Sequence, residues 1–283
     1  MTTVQSGGEP LTLSFMGANY VARESGYPGG EDWGPFDAAT NAAFQPINSY
    51  AERLEGLLGQ IAAAGFESID LWLAHLNWRW ATREHILIAR HALRHHGLRV
   101  ATLAGNFGST RSELEAACQL ATALDVDMLG GMGEVLRADR VGAEAVLREH
   151  GVRFAYENHP ESDPREVLDL IGDASDVLGV AIDTGWWATH GYDPVQAIRD
   201  LGDRLFYVHL KDVSRAGEPH LTCAHGEGVV DIPGCVDEIL ASGYAGGMSI
   251  EHEPYDHDPT AECARMLEAI EAQLADAKAA ANG

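Results

Sequence analysis

Four polar side chains stand where predicted strands end, and they are of the types that bind metals and move protons. Each could instead only hydrogen-bond a loop or cap the next helix. Together, three carboxylates would crowd beside one imidazole, and their mutual repulsion calls for a nearby cation. A divalent metal ion is the simplest such cation. The four residues are Glu157 in YENHPE, Asp183 in AIDTGWW, His209 in YVHLKD and Glu251 in MSIEHEP.

The chemistry expected of this group follows from its ligand types. Carboxylates with one imidazole favour Mn²⁺, then Mg²⁺, with Co²⁺ or Zn²⁺ as alternatives. A divalent ion that binds adjacent carbonyl and hydroxyl oxygens of a sugar stabilises the enediolate formed when the α-proton leaves. Glu157 and Glu251 are the candidates to remove and return this proton, which gives epimerisation or isomerisation.

A different outcome is β-elimination, which occurs when the carbon beyond the enediolate carries a leaving group. His159 lies two residues after Glu157 and faces the same side if the strand continues that far. We consider two roles for His159: an acid that protonates the leaving group, or a hydrogen-bond partner that orients the site. A lyase acting on a keto sugar, an inosose or a 3-keto-glycoside is therefore the alternative to an isomerase.

Other side chains near the predicted strand ends could contact a substrate. His75 and Asn106 could reach substrate hydroxyls, and Lys211 could polarise a substrate oxygen or pair with Asp183 or Asp212. Tryptophan faces stack on sugar rings, so tryptophans after strands indicate a sugar or glycoside cleft. The loops hold no dense cluster of Arg and Lys, which favours an unphosphorylated substrate. The tryptophans are Trp33, Trp78, Trp80, Trp186 and Trp187.

These side chains can meet only if the fold brings the strand ends together. Helical patterns that end in glycine alternate with apolar stretches, as expected of a parallel sheet covered on both faces. Eight such units in 283 residues predict a single (β/α)8 TIM barrel, whose strand ends meet at one rim. A doubly wound open sheet is the alternative, but no G-x-G-x-x-G follows the first strand. The predicted strands are 11–19, 68–73, 99–104, 127–132, 152–158, 179–184, 205–211 and 247–253.

The boundaries follow from the same pattern. We predict a flexible N-terminus over 1–10, the barrel over 11–275 and a C-terminal tail over 276–283. Residues 20–49 separate the first strand from its helix by an unusually long loop, which is typical of a lid over an active site. The alternative is a disordered insertion, but Tyr27, Trp33, Phe36 and Phe44 give the loop apolar surface to bury.

Composition excludes several classes of protein. The net charge of −24 would repel a nucleic-acid backbone. No stretch approaches eighteen apolar residues and the N-terminus lacks a basic region followed by an apolar one, so we expect a cytoplasmic protein without membrane contact. The four cysteines show no C-x-x-C spacing, so we expect reduced, largely buried thiols.

The motifs YENHPE, IDTGWW, YVHLKD, HGEGVVDIPG and SIEHE together resemble the sugar phosphate isomerase/epimerase family, the xylose-isomerase-like metal-dependent TIM barrels. The resemblance implies that Glu157, Asp183, His209 and Glu251 bind the metal and that both glutamates flank the substrate. Many members have a histidine at the position of Trp186, so no family role transfers there.

The family includes isomerases, epimerases, inosose dehydratases and subunits of C-glycoside deglycosidases. The resemblance implies a homo-oligomer, a dimer or tetramer, or a hetero-complex if the chain is a deglycosidase subunit. A carbohydrate-binding barrel without catalytic activity is a further hypothesis, since it would keep the aromatic residues. Such a barrel would have no need for both flanking glutamates.

Overall fold

Eight parallel strands form a closed barrel in the computed structural model, which describes residues 11–30 and 32–282. Each strand pairs with the next along the chain, and the last pairs with the first. The predicted (β/α)8 barrel is therefore confirmed, while the predicted flexible segment 1–10 lies outside the described residues. The barrel strands are β1 Thr12–Met16, β2 Ser68–Trp72, β3 Arg99–Asn106, β4 Met128–Met132, β5 Arg153–Glu157, β6 Leu178–Asp183, β7 Leu205–Val213 and β8 Gly247–Glu251.

Helices surround the barrel, and two of them are additions within the loops that follow strands. The additions are α1, which precedes the barrel helix α2, and the short α7, which begins directly after β6. The last helix continues to Asn282, so the residues predicted as a tail are helical as far as that position. The helices are α1 Gly34–Phe44, α2 Ile47–Ala63, α3 Arg83–His96, α4 Arg111–Ala123, α5 Val135–His150, α6 Pro164–Ile171, α7 Thr184–Thr189, α8 Pro194–Leu201, α9 Ile232–Ala241 and α10 Thr260–Asn282.

The segment 20–49 is more ordered than the long loop we predicted. It contains a short 3-10 helix, Arg23–Ser25, and all of α1. Phe44 packs against Tyr50 at the start of α2, with ring centroids 6.3 Å apart, and both side chains are buried. The apolar residues of the segment therefore fold it into a helix that is tied to the barrel.

Every strand except β1 ends within two residues of its prediction, and the differences in β1 and β7 affect the rim. β1 ends at Met16 because the chain turns at Gly17, where an added Cβ would lie 2.9 Å from the carbonyl oxygen of Asp70. β7 continues to Val213, and a two-residue strand, Thr222–Cys223, pairs antiparallel with its end. The chain between them forms an arm that reaches over the rim.

The remaining expectations from composition concern thiols and membranes. All four cysteines are free; Cys118, Cys235 and Cys263 are buried and Cys223 is partly buried. Within the described residues, the helices are all too short or too polar to cross a membrane.

Candidate metal centre and substrate cavity

The four predicted metal ligands lie together at the C-terminal end of the barrel. Glu157, Asp183 and Glu251 are the last residues of β5, β6 and β8, and His209 lies in β7 opposite Asp183 in the register. Each is at most 7% exposed. The parallel register thus brings together side chains that are up to 94 residues apart in the sequence.

His209 is the centre of the first group of contacts. Its Nδ1 lies 3.1 Å from Oε1 of Glu157 and 2.7 Å from Oε2 of Glu251. One donor atom from each of these three residues lies within 4.8 Å of the others, and so do atoms of Glu157, His159 and Asp183. Glu157 belongs to both groups, so the two groups form one continuous cluster.

Lys211 is the centre of the second group of contacts. Its Nζ lies 3.1 Å from Oδ2 of Asp183, 2.8 Å from Oε1 of Glu251 and 3.0 Å from Oε2 of Glu253. Glu253 was missed in the sequence analysis, although it follows Glu251 by two residues, which is the spacing of side chains on one face of an extended chain. Of the two partners considered for Lys211, the structure pairs it with Asp183.

Asp183 is held in place from several directions. Its Oδ1 accepts a hydrogen bond from the backbone N–H of Trp186 at 2.9 Å, so the side chain also caps α7. The side-chain amide of Asn158 makes two hydrogen bonds with the backbone of Asp183. The Asp183 N–H donates to Asn158 Oδ1, and the Asp183 carbonyl accepts from Asn158 Nδ2. The amide in the ENH motif therefore fixes the ends of two neighbouring strands.

Opposite charges in a buried site shift the pKa values of these groups. Burial alone would lower the pKa of His209, but the charges of Glu157 and Glu251 raise it well above its usual range. Burial alone would raise the pKa of Glu157, but His209 and His159 lower it well below its usual range. The site thus favours charged forms that stabilise each other.

His159 and Glu253 border the same cluster from the cavity side. Nε2 of His159 lies 3.4 Å from Oε1 of Glu157, although β5 ends at Glu157 and does not reach His159 as the prediction required. Burial, opposed by the charge of Lys211, raises the pKa of Glu253 to about 7. Both side chains line the cavity above the cluster.

A cavity of about 900 Å³ opens over the cluster. Its walls are partly aromatic, as expected of a site for a sugar or glycoside. One side is formed by α1 and the residues just before it, so the segment 20–49 contacts this cavity. The predicted residues that line it are Trp33, Trp80, Asn106, Glu157, His159, Trp186, Lys211 and Glu251, and those that sequence analysis missed include Trp72, Asn77, Arg79, His220, Glu253 and Tyr255.

Some predicted residues lie elsewhere. His75 is 1% exposed and packs between Phe44 and Trp72, with ring centroids 4.7 Å and 5.2 Å away, so it does not line the cavity. Trp187 is fully buried in α7 rather than exposed in a loop. A position after a strand did not predict the burial of either side chain, because the chain turns inward after β2 and becomes helical after β6.

Trp186 has an unexpected neighbour. The His220 ring stacks on it with centroids 3.9 Å apart and planes 7° apart, and both line the cavity. His220 lies on the arm between β7 and the short strand Thr222–Cys223, so the stack connects this arm to α7. No sequence motif marked His220, because the contact depends on how the arm folds back.

The cluster fits a divalent cation by the chemistry of its donors. Three carboxylates and one imidazole are oxygen-rich and mostly hard, the kind of set that Mn²⁺ and Mg²⁺ prefer. Nδ1 of His209 faces two carboxylates while its Nε2 has no hydrogen-bond partner among the described residues. Glu157, Asp183, His209 and Glu251 are thus arranged as the residues that would hold such an ion.

Comparison with known proteins finds curated relatives for part of this chain. Two curated relatives are a 3-dehydroshikimate dehydratase of Pseudomonas putida, 31% identical over 139 residues, and an inosose dehydratase of Geobacillus kaustophilus, 28% identical over 130 residues. These matches cover 41% and 39% of this chain. They cover only 22% and 42% of the relatives, so the chain spans less than half of their length.

Two solved structures share the fold. One is a xylose isomerase-like TIM barrel protein of Mycobacterium smegmatis in complex with magnesium, with a TM-score of 0.66 at 19% identity over 82% of this chain and 90% of that chain. The other is a D-allulose 3-epimerase of Methylomonas sp. in complex with D-allulose. It has a TM-score of 0.66 at 16% identity and covers 94% of this chain and 98% of that chain. The family model described as "Xylose isomerase-like TIM barrel" matches residues 58–273, which is more than half of the chain. The chain therefore belongs to the xylose isomerase-like TIM barrel family.

Proposed function

We propose that this protein is a divalent-metal-dependent sugar isomerase or epimerase in which Glu157 and Glu251 move the substrate's α-proton. The observation that carries the proposal is the pair of glutamates on Nδ1 of His209, at 3.1 Å and 2.7 Å, in the floor of a partly aromatic cavity. The D-allulose bound to one structural neighbour and the magnesium bound to another support a sugar substrate and a divalent ion.

The residues proposed to hold the ion are Glu157, Asp183, His209 and Glu251, with Mn²⁺ as the preferred ion. When bound, a divalent cation would polarise adjacent carbonyl and hydroxyl oxygens of a sugar and so make the α-proton more acidic. The chain's own carboxylates would then transfer this proton. The aromatic walls, Trp33 and Trp186 among them, would exclude water and contact the sugar ring.

Each glutamate could use its two carboxylate oxygens for two different tasks. In Glu251, Oε2 faces His209 while Oε1 faces Lys211. In Glu157, Oε1 faces both His209 and His159. A glutamate that holds the ion with one oxygen can accept a proton at the other, so the two could act on the substrate from different sides. Return of a proton to the opposite face of the same carbon gives epimerisation, and return to the neighbouring carbon gives isomerisation.

The second candidate is a lyase that eliminates water or another leaving group from a keto sugar, an inosose or a 3-keto-glycoside. Two observations favour it: the two curated relatives described above are dehydratases, and His159 lines the cavity 3.4 Å from Glu157. The imidazole would protonate the leaving group after a glutamate removes the α-proton. The proposed substrate of either reaction carries no phosphate.

One experiment tests both reactions. The protein is supplied with Mn²⁺ and incubated with ketoses, inososes and 3-keto-glycosides in deuterium oxide, and products are followed by NMR. Deuterium at an α-carbon with an unchanged elemental formula indicates isomerisation or epimerisation, and loss of a leaving group indicates elimination. If no substrate gains deuterium and Mn²⁺ does not bind, the proposed function is wrong and a carbohydrate-binding barrel becomes the better hypothesis.

A further inference from the structure

The barrel interior below the metal cluster contains a buried carboxylate that the mechanism above does not use. Asp70, in β2, is fully buried. Its Oδ1 accepts hydrogen bonds from Ser14 Oγ and from Tyr207 OH, each at 2.6 Å, and these two hydroxyls are 2.9 Å apart. Its Oδ2 has no hydrogen-bond partner among the described residues.

Three more polar atoms of the barrel interior share this condition. They are Nε2 of His209, Oγ of Ser249 and Oγ1 of Thr102, each buried and without a hydrogen-bond partner in the part of the chain that the structure describes. A buried polar atom that stays unpaired is costly, so several on one wall indicate a shared partner. Buried water molecules typically link such atoms, and each water makes two to four hydrogen bonds to them.

The register places these residues side by side. His209 in β7 is opposite Ser249 in β8, and Ser249 is opposite Ser14 in β1, whose hydroxyl contacts Asp70. Asp70 in turn is opposite Thr102 in β3. Partners in register on parallel strands share a face of the sheet, and here that face is the barrel interior.

The charge of His209 also acts on Asp70. Burial raises the pKa of the Asp70 carboxyl, and the largest opposing influence is the nearby His209 imidazolium. The Ser249 hydroxyl lowers the pKa of Asp70 as well, although it makes no hydrogen bond of normal geometry. These influences agree with the register in placing the Asp70 carboxylate near the His209 ring.

We propose that Asp70 is a positioning residue for His209, accepting the Nε2–H hydrogen bond of its ring through one buried water molecule. The inference rests on the proposed function, because it gives His209 a metal-binding role through Nδ1. A metal-binding histidine generally donates its other ring N–H to a carboxylate, carbonyl or water, which fixes the ring and makes the ligating nitrogen more basic. Asp70 would supply that acceptor from inside the barrel.

The space around the proposed contact suits a small bridging molecule. Ala155 and Ala181 contribute only methyl groups to the barrel interior, and Gly130 contributes no side chain. The atoms nearest to an added Cβ at Gly130 belong to Thr102, with Oγ1 at 3.6 Å. Small residues thus face the barrel interior close to one of the polar atoms without a partner.

The test uses the metal-free protein first, so that it does not depend on catalysis. Long-range ¹H–¹⁵N NMR of ¹⁵N-histidine-labelled protein should show a His209 Nε2–H that exchanges slowly with water, assigned by its loss in His209→Gln. In Asp70→Asn this signal should shift and exchange at least tenfold faster. Ser14→Ala serves as the matched control: it disturbs the same polar group but leaves Asp70 as acceptor, so the His209 signal should persist.

The second measurement is Mn²⁺ affinity by titration calorimetry. Asp70→Asn should bind Mn²⁺ roughly 10 to 100 times more weakly, as expected when such a partner is removed, while Ser14→Ala should stay within about threefold of wild type. Unchanged Nε2–H exchange and affinity in a folded Asp70→Asn variant would overturn the proposal. If wild type shows the protected Nε2–H but binds no Mn²⁺, the proposed function fails and the Asp70–His209 contact stands.

A crystal structure of the wild-type protein keeps the proposal testable if Asp70→Asn does not fold. The expected result is that one ordered water bridges Asp70 Oδ2 and His209 Nε2. Electron density that shows no such water would overturn the proposal without any variant.

Discussion

At the scale of single residues, Lys211 changes how the charge of the site is balanced. The sequence argument required a cation among three carboxylates and named a metal ion as the simplest one. The structure shows that an ammonium group already contacts Asp183, Glu251 and Glu253 at 2.8 to 3.1 Å. A divalent ion must therefore share these carboxylates with Lys211, and the repulsion argument alone indicates a cation without identifying it.

Replacing Lys211 with Met tests this competition. Loss of one partner from a buried ion pair costs roughly 3–5 kcal/mol, because the other charges stay buried and unpaired. We expect the metal-free variant to melt about 10 °C lower, from roughly 2–4 °C per kcal/mol for a protein of this size class. Saturating Mn²⁺ should then raise the melting temperature more than in wild type, as measured by differential scanning fluorimetry.

The matched control is Lys278→Met, since Lys278 is the only other lysine and lies exposed in α10. It should leave both melting temperatures within about 1 °C of wild type, because surface substitutions change stability by at most about 0.5 kcal/mol. A smaller metal-induced rise in Lys211→Met than in wild type would mean that Lys211 helps to hold the ligands in place rather than competing with the ion.

The division of labour between Glu157 and Glu251 is a second prediction at this scale. Glutamine keeps the size and one oxygen ligand but removes the base, so Glu157→Gln and Glu251→Gln should retain part of the Mn²⁺ affinity. Turnover should fall by roughly a hundredfold or more, the usual contribution of general acid–base catalysis. Steady-state kinetics and deuterium uptake distinguish them: one variant should lose α-proton exchange entirely, while the other still exchanges without forming product.

Glu149→Gln controls for the substitution, because Glu149 is exposed near the end of α5, away from the strand ends that carry the site. Wild-type turnover in both site variants, with normal metal binding, would contradict the mechanism.

At the scale of elements, regular patterns were easier to predict than the elements that shape the cavity. Leu54, Leu57, Leu58 and Ile61 recur at the spacing of one helical face, a pattern that favours a helix at α2, and all four side chains are buried. α1 was missed because its sequence, GPFDAATNAAF, has few large apolar residues and begins with glycine and proline. Glu253 and His220 were missed because their places depend on the turn after β8 and on the arm after β7.

The α1 surface that faces the cavity should govern substrate binding and leave the metal unaffected. Ala42 lies on that surface and lines the cavity. In Ala42→Phe the larger ring should occupy part of the cavity, so KM should rise at least tenfold while Mn²⁺ affinity stays within about twofold, by kinetics and calorimetry. Ala51→Phe, at an exposed position of α2 outside the cavity, is the matched control. Equal loss of substrate and metal binding in Ala42→Phe would indicate that α1 supports the whole site.

The turn after β2 gives a prediction about pH. Burial lowers the pKa of His75 from 6.5 to about 3. Between these values the unfolded chain binds a proton that the folded protein does not, so His75 makes stability fall as the pH falls from 6.5 towards 3. His75→Gln should reduce the slope of unfolding free energy against pH by up to about 1.4 kcal/mol per pH unit, by urea denaturation between pH 4 and 6.

The control for this slope is His91→Gln, since His91 is exposed on α3. Its slope should match that of wild type. The same slope in His75→Gln as in wild type would show that His75 is not the group that makes the barrel acid-sensitive.

At the scale of the whole molecule, the strand ends that hold the cluster belong to one closed barrel. β5, β6, β7 and β8 each carry one of the proposed ligands, so an ion bound there would connect half of the strands around the barrel. The net charge of −24 also attracts cations to the protein in general. Binding to the native state alone stabilises the entire fold, because the unfolded chain does not bring the ligands together.

This coupling predicts a metal-dependent melting temperature that Asp183 controls. At 100 times the dissociation constant, a ligand adds about 2.7 kcal/mol, which corresponds to a rise of roughly 5–10 °C. Asp183→Asn keeps the α7 cap through its amide oxygen but removes a negative ligand, so the rise with the same Mn²⁺ concentration should shrink by more than half. Asp203→Asn, at an exposed turn before β7, should keep the full rise. If Mn²⁺ stabilises Asp183→Asn as strongly as wild type, Asp183 serves only to cap α7 and pair with Lys211, and the ion has a different set of ligands.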